Sequence, residues 1–314
     1  MTRSGSTGLP WSPEDVPDLS GRRALVTGVT SGLGEATVLE LVGRGAEVVM
    51  AARNPDKLAA TIAAVRRRRP DAVVHPLHLD LADLTSVRQA AEEARSFGSL
   101  HLLVNNAGVM ATPYQRTTDG FELQLGTNHL GPFALTGLLL PLLVESGDAR
   151  VVTVASQAHR IARRAPLQDP RLPEGHYRRW QAYAGSKLAN LLFTFELERR
   201  ARAADLPLKA LAAHPGYAST GLMGAGRIGE SAKVRTRILT GAFAVAGQSP
   251  EMGALPTIMA ATADLPGGTY VGPGGFAEMH GMPKVVGTRK LARPRGPARR
   301  LWEVSEQATG VVYP

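Results

Sequence analysis

Tyr183 and Lys187 stand four residues apart in the run Tyr-Ala-Gly-Ser-Lys. On a helix that spacing stacks a phenol and an ammonium on one face, and residues 183–202 are rich in the helix formers Ala, Leu, Lys, Glu and Arg. A free phenol ionises only near a pH of about 10. A cation one turn away favours the phenolate and makes the tyrosine a carrier of protons. Ser156, at the end of the strand-like Val-Val-Thr-Val-Ala-Ser, adds a hydroxyl able to hydrogen-bond a substrate oxygen. Taken alone, the Tyr-x-x-x-Lys pair reads better as an aromatic on the apolar face of an amphipathic helix beside a solvated lysine.

A second motif changes that balance. Thr27-Gly28-Val29-Thr30-Ser31-Gly32-Leu33-Gly34 follows the apolar Ala24–Val26 and opens a helix-favouring stretch. Strand, glycine turn and helix in this order aim backbone N–H groups and a positive helix end at a site suited to pyrophosphate. Glycines there permit a tight turn, close approach of backbone to phosphate and close packing of helix on strand. The motif predicts cofactor contacts from Gly28, Thr30, Ser31, Gly32, Leu33 and Gly34.

The elements that must position these groups follow from the hydropathy pattern. Strand-like runs recur at 24–26, 47–52, 73–79, 100–104, 150–155, 208–213 and 269–271, and helix-like stretches at 35–42, 55–69, 84–97, 121–144 and 183–202 alternate with them. Alternation over this length predicts an α/β protein: a single-domain, doubly wound parallel sheet of Rossmann type with helices on both faces. Such sheets bind ligands outside the carboxyl ends of their strands. The polar motifs fall there: Gly28, Arg53, Asp80, Asn106, Ser156 and Pro215 each follow one of the first six strands in turn. The second strand ends Ala52-Arg53, with arginine where a carboxylate would bind a free ribose 2′-hydroxyl. A cation there suits a 2′-phosphate, so NADP(H) is the preferred cofactor and NAD(H) the alternative.

Composition sets outer bounds. The 314 residues, 44% hydrophobic and 20% charged, suffice for one large core. There is no cysteine, which removes disulfides, thiolate metal ligands and cysteine nucleophiles. The net charge of +9 invites a nucleic-acid reading, but the arginines are dispersed and only 5% of residues are aromatic, so no nucleic-acid partner is expected. Neither a signal core nor a lipidation glycine opens the chain, and the apolar run 133–144 is interrupted by Pro141. No membrane span and a cytoplasmic location are therefore expected. His129, His159 and His214 lack metal-ligand spacing, and no metal is expected.

Asn105-Asn106-Ala107-Gly108, Thr127-Asn128-His129-Leu130-Gly131, Ser156, Tyr183-x-x-x-Lys187 and His214-Pro215-Gly216 follow the glycine motif in the order used by the short-chain dehydrogenase/reductase family, which the chain resembles from about residue 18 to the low 280s. Asn-Asn-Ala-Gly-Val-Met, Ala-Ser-Gln-Ala-His-Arg and the long stretch between Ser156 and Tyr183 look closest to its retinol-dehydrogenase-like and protochlorophyllide-reductase-like branch. The resemblance implies a tetrad of Asn128, Ser156, Tyr183 and Lys187. In it Tyr183 is general acid/base, Ser156 steadies the developing alkoxide, and Lys187 holds the nicotinamide ribose and lowers the tyrosine pKa. Asn128 positions a water leading from Lys187 to solvent. By the same analogy Asp80 and Leu81 border the adenine, Asn106, Ala107 and Gly108 the ribose side, Pro215 and Gly216 the cofactor, and Thr220 its carboxamide. Two departures stand out: Ser31 where many NADPH-dependent relatives have a basic residue, and Ala155 where a second serine is frequent.

The expected activity is hydride transfer between nicotinamide and a largely apolar, small-molecule carbonyl or alcohol substrate. The alternative is a catalytically silent NADP(H)-binding regulatory or scaffold protein, which would have no need of both phenol and cation. The expected organisation is an N-terminal extension at 1–17, the nucleotide-binding domain at 18–286 with substrate-covering segments near 217–250 and 272–286, and a basic tail at 287–314. By analogy with relatives, a homodimer that pairs through the helices carrying Phe133 and Tyr183 is the expectation.

Overall fold

The computed structural model describes residues 11–30, 32–217 and 248–313. Its strands are β1 (Arg23–Thr27), β2 (Glu47–Ala52), β3 (Val74–His78), β4 (Leu102–Asn105), β5 (Ala149–Val154), β6 (Leu208–Ala213), β7 (Tyr270–Pro273) and β8 (Pro283–Val285). They form one sheet in the order β3-β2-β1-β4-β5-β6-β7-β8. All neighbours pair in parallel except β7 and β8, which are antiparallel. The chain moves outward from β1 to β3 and then returns to place β4 on the other side of β1. That reversal opens a crevice at the carboxyl ends of β1 and β4.

Apolar residues occupy both faces of the central strands, because helices cover both sides of a parallel sheet. Leu25, Val49, Leu103 and Val151 point into one core cluster, and their neighbours Val26, Val48, Val104 and Val152 into the other. The second cluster is closed by α1 (Gly32–Gly43) and α2 (Pro55–Arg68). The first is closed by α3 (Leu84–Ala94), α4 (Leu123–Glu145) and α5 (Arg179–Ala203). Capping fixes the helix starts: the Asn54 side chain accepts from Lys57 N–H at 2.8 Å, and Asp83 accepts from Thr85 N–H at 2.8 Å.

Helix α4 is longer than the apolar run 133–144 suggests. Its 23 residues are long and apolar enough to cross a membrane, yet 67% of its most apolar window is buried inside the fold, where it packs under the sheet. Residues Gly126–Leu130 form a π-turn within it, a local widening that recurs at functional sites. Asn128 lies in that turn.

Three elements beyond the expected pattern complete the body: α6 (Pro250–Thr262), β8 and α7 (Arg295–Thr309). The stretch after 286, which the sequence presents as a basic tail, is packed onto the body. Trp302, only 2% exposed, stacks on Phe193 at 5.8 Å between ring centres and meets Phe133 edge-on at 5.1 Å. Tyr313 donates from its hydroxyl to the Phe133 carbonyl at 2.7 Å. Arginines on α7 face outward while its apolar residues, four or fewer positions apart, enter the core.

Candidate active site

The carboxyl ends of β1 to β6 border a cavity of about 750 Å³. At one end of it Gly28 adopts a φ of +71°, a left-handed conformation that glycine enters without strain. A Cβ on Gly28 would lie 2.8 Å from the Ala107 Cα, and one on Gly34 would collide with the Gly28 carbonyl oxygen. The Thr27 hydroxyl accepts from the Asn106 and Ala107 N–H groups, both at 3.0 Å, and the Asn106 amide donates to the Thr27 carbonyl at 2.7 Å. The two turns are thereby stitched together. Gly28, Thr30, Leu33, Gly34, Asn106, Ala107 and Gly108 all border the cavity, whereas Gly32, the first residue of α1, does not. Ser31 lies outside the described residues.

Beyond β2 and β3 the cavity wall holds Arg53, Lys57, Asp80 and Leu81. The Arg53 Nε is 3.9 Å from Asp80 Oδ2, with the arginine side chain 72% exposed. This is a loose, solvated pairing that a stronger anion would outcompete. Asp80 also accepts from Ala82 N–H at 2.9 Å, so its carboxylate is fixed at the edge of the site. Lys57 escaped sequence reasoning, although its place in the first turn of the helix after Arg53 was a usable signal.

At the other end, β5 delivers Ser156 and α5 delivers Tyr183 and Lys187 to the same wall. The Ser156 oxygen accepts from Ala158 N–H at 3.1 Å. Burial raises the Tyr183 pKa above that of an ordinary phenol, and a hydrogen bond with Ser156 pulls the other way. Burial also lowers the Lys187 pKa to about 8. The Lys187 ammonium donates to the Val154 carbonyl at 2.9 Å and sits 5.9 Å from the centre of the Tyr183 ring. The sequence alone suggested that the lysine would make Tyr183 more acidic. In the folded protein desolvation dominates the phenol instead, because Tyr183 is only 7% exposed, with Trp180 edge-on to its ring at 6.3 Å.

Asn128 is behind the wall, not in it. Its Oδ1 accepts from Val109 N–H at 2.7 Å, and its Nδ2 donates to the Val109 carbonyl and to Ser186 Oγ, both at 2.9 Å. The side chain thus locks the backbone that follows Gly108. Pro215 and Gly216 border the cavity below β6, and a φ of +66° at Gly216 brings it against the Met279 carbonyl. Thr220 lies outside the described residues.

The three histidines are fixed by hydrogen bonds. His129 meets Ser305 Oγ at 2.8 Å, His159 Nδ1 meets the Ser156 carbonyl at 2.7 Å, and His214 Nε2 meets Glu278 at 3.1 Å. Burial lowers the His129 and His214 pKa values to about 3, so both are neutral. Met279, within the 272–286 segment expected to cover the substrate, also lines the cavity, as do Trp180, Met110 and Ala158, none of which was named individually from sequence. Trp180 was legible, three residues before Tyr183 on one helix, whereas Met279 was legible only as part of the covering segment 272–286.

Residues 22–166 match the family model for short chain dehydrogenases. Human retinol dehydrogenase 13 is 36% identical over 301 residues, covering 94% of this chain and 87% of that protein. Mouse polyprenol dehydrogenase is 39% identical over 308 residues, covering 95% and 87%. A crystal structure of an uncharacterized protein from Mycobacterium paratuberculosis superposes with a TM-score of 0.79 at 42% identity, covering 98% of this chain and all of that one. Likeness of this extent, on a Rossmann sheet whose glycine turn, serine, tyrosine and lysine meet in one cavity, makes the chain a member of the short-chain dehydrogenase/reductase family, oxidoreductases of CH–OH and C=O groups that use NAD(P).

Proposed function

We propose that this protein is an NADP(H)-dependent oxidoreductase of a largely apolar carbonyl or alcohol compound, with Tyr183 as general acid/base. The observation that carries the reading is the convergence of Ser156, Tyr183 and Lys187 on the cavity that also holds the glycine turn. A nicotinamide, when bound, supplies or accepts the hydride. Tyr183, held as the phenol by burial, is in the state that gives a proton to a carbonyl oxygen. Ser156 is anchored by the Ala158 N–H, and its hydroxyl, within hydrogen-bond reach of Tyr183, turns its hydrogen to that same oxygen as negative charge develops. Lys187 spends one N–H on Val154 and has two left for ribose hydroxyls. Asn128 acts by position, holding the Gly108–Val109 turn beside the lysine.

Arg53 and Lys57 on one wall support a 2′-phosphate, and thus NADP(H). Trp180, Met110, Ala158 and Met279 support an apolar substrate, as do relatives named for retinol and polyprenol. The test is a panel of apolar aldehydes, ketones and quinones with NADPH, followed by nicotinamide absorbance in wild type and Tyr183→Phe. Loss of the acid should slow turnover by about 10²–10⁴-fold. Equal rates in the two proteins would overturn the assignment.

A further inference from the structure

Glu278 is the meeting point of three segments that surround the reacting end of the cavity. One carboxylate oxygen accepts from Gln157 Nε2 at 2.6 Å and lies 3.1 Å from His214 Nε2; the other accepts from Arg160 Nη2 at 2.9 Å. Gln157 directly follows Ser156, and His214 directly precedes Pro215 and Gly216. His214 Nδ1 accepts from Gly216 N–H at 3.2 Å, which leaves its single ring hydrogen on Nε2 to be donated to Glu278. The histidine therefore passes the hold of the carboxylate on to Gly216.

The turn that carries Glu278 is strained. Ala277 and Glu278 have φ values of 48° and 55°, a region that side-chain-bearing residues seldom enter, and two in succession persist only where contacts over-determine them. The flanking Ala277 and Met279 border the cavity, and the Met279 carbonyl accepts from Tyr217 N–H at 2.8 Å. We propose that Glu278 is a positioning residue: its carboxylate latches the 275–281 turn across the substrate end and fixes, through Gln157, Arg160 and His214, the backbone that presents Ser156 and Gly216. It rests on the proposed oxidoreductase reading only for its kinetic consequence; the latch itself is a property of the fold.

Hydrogen–deuterium exchange on the full-length protein tests the latch without substrate. In Glu278→Ala the amides of 158–162 and 216–217 should exchange about tenfold or more faster, while those of β1 and β4 stay as in wild type. Glu278→Gln, which keeps the size and one acceptor, should lie between the two and guards against failure to fold. With a reduced carbonyl substrate, kcat of Glu278→Ala should fall about tenfold or more while NADPH affinity, measured by fluorescence, holds within about threefold. Unchanged exchange at 158–162 and 216–217 in both variants would overturn the latch, as would a wild-type kcat. A protein inactive on every substrate would refute the oxidoreductase reading and leave the exchange result to decide the latch alone.

Discussion

The Lys187 ammonium and the Val154 carbonyl are hydrogen-bonded at 2.9 Å, with only 5% of the lysine exposed. A single neutral acceptor does not replace the water that an ammonium loses, which is why burial draws the Lys187 pKa down to about 8. The charge is thus kept at a cost to folding, as expected of a group retained for what it does to ligands.

That cost has a pH signature. Between about pH 8 and the unfolded value of 10.5, the unfolded chain holds the lysine proton and the folded one does not. Stability contributed through this group therefore rises with pH across that window, by up to about 3 kcal/mol in total. Lys187→Met should accordingly be more stable than wild type at pH 7, with the gain shrinking by pH 10. Val154 O keeps a donor in that variant, the Asn190 amide at 3.2 Å. Urea unfolding at the two pH values measures the effect, and a gain that did not shrink would contradict it.

Arg53 and Lys57 stand on one wall, with Asp80 Oδ2 3.9 Å from the arginine Nε. Reversing the charge in Arg53→Asp should weaken NADPH binding by about 10- to 100-fold, the value of a hydrogen bond to a charged group, and leave NADH within about threefold. Lys57→Ala should give a smaller loss with the same selectivity. Titration of the two nucleotides by fluorescence separates these outcomes. Equal weakening of NADH and NADPH would remove the 2′-phosphate from the account.

Asn128 makes three hydrogen bonds, two of them to the Val109 backbone. Asn128→Ala leaves the Val109 N–H and C=O without those partners, at an expected loss on the order of 1–3 kcal/mol. The Gly108 turn sits tightly here, since a Cβ on Gly108 would be 3.0 Å from Asn128 Oδ1 and 3.5 Å from Lys187 Nζ. Turnover should therefore fall together with the midpoint of thermal unfolding. Normal turnover in a destabilised Asn128→Ala would limit the residue to folding.

Local pattern was enough where local pattern decides the structure. The runs 47–52 and 208–213 are β2 and β6 residue for residue, because strands buried on both faces read as near-continuous apolar stretches, broken here only by the half-buried Glu47 and Lys209. Strand ends then located Arg53, Asp80, Asn106 and Ser156 on one cavity. Other features depend on partners far along the chain. Strand β8 is three residues held by antiparallel pairing with β7, too short to carry a periodicity. Glu278 reaches His214 and Gln157 only through the turn between those two strands, so its own neighbours in sequence say nothing of it. The Tyr183 pKa also escaped, since spacing reveals a nearby cation but not the enclosure that outweighs it.

Helix α7 was hidden by its own charge. Arginines at 295, 299 and 300 suggest a solvated tail, yet Ala298, Leu301, Trp302, Ser305 and Thr309 recur at helical spacing and are buried. Trp302 meets Phe133, Phe193 and Tyr313, and Arg200 lies over its ring at 4.4 Å. The segment thereby covers faces of α4 and α5, the helices through which pairing by analogy was expected. Trp302→Ala should lower stability by about 3–5 kcal/mol, the usual cost of truncating a buried aromatic, with KM for NADPH within about twofold. Because the indole is shared among both helices, the same variant should expose apolar surface and elute on gel filtration as larger species than wild type of equal concentration. A Trp302→Ala protein as stable as wild type would mean that α7 is held by its ends, through Tyr313 and the Arg88 bond to the Thr309 carbonyl at 2.7 Å, and not by the aromatic cluster.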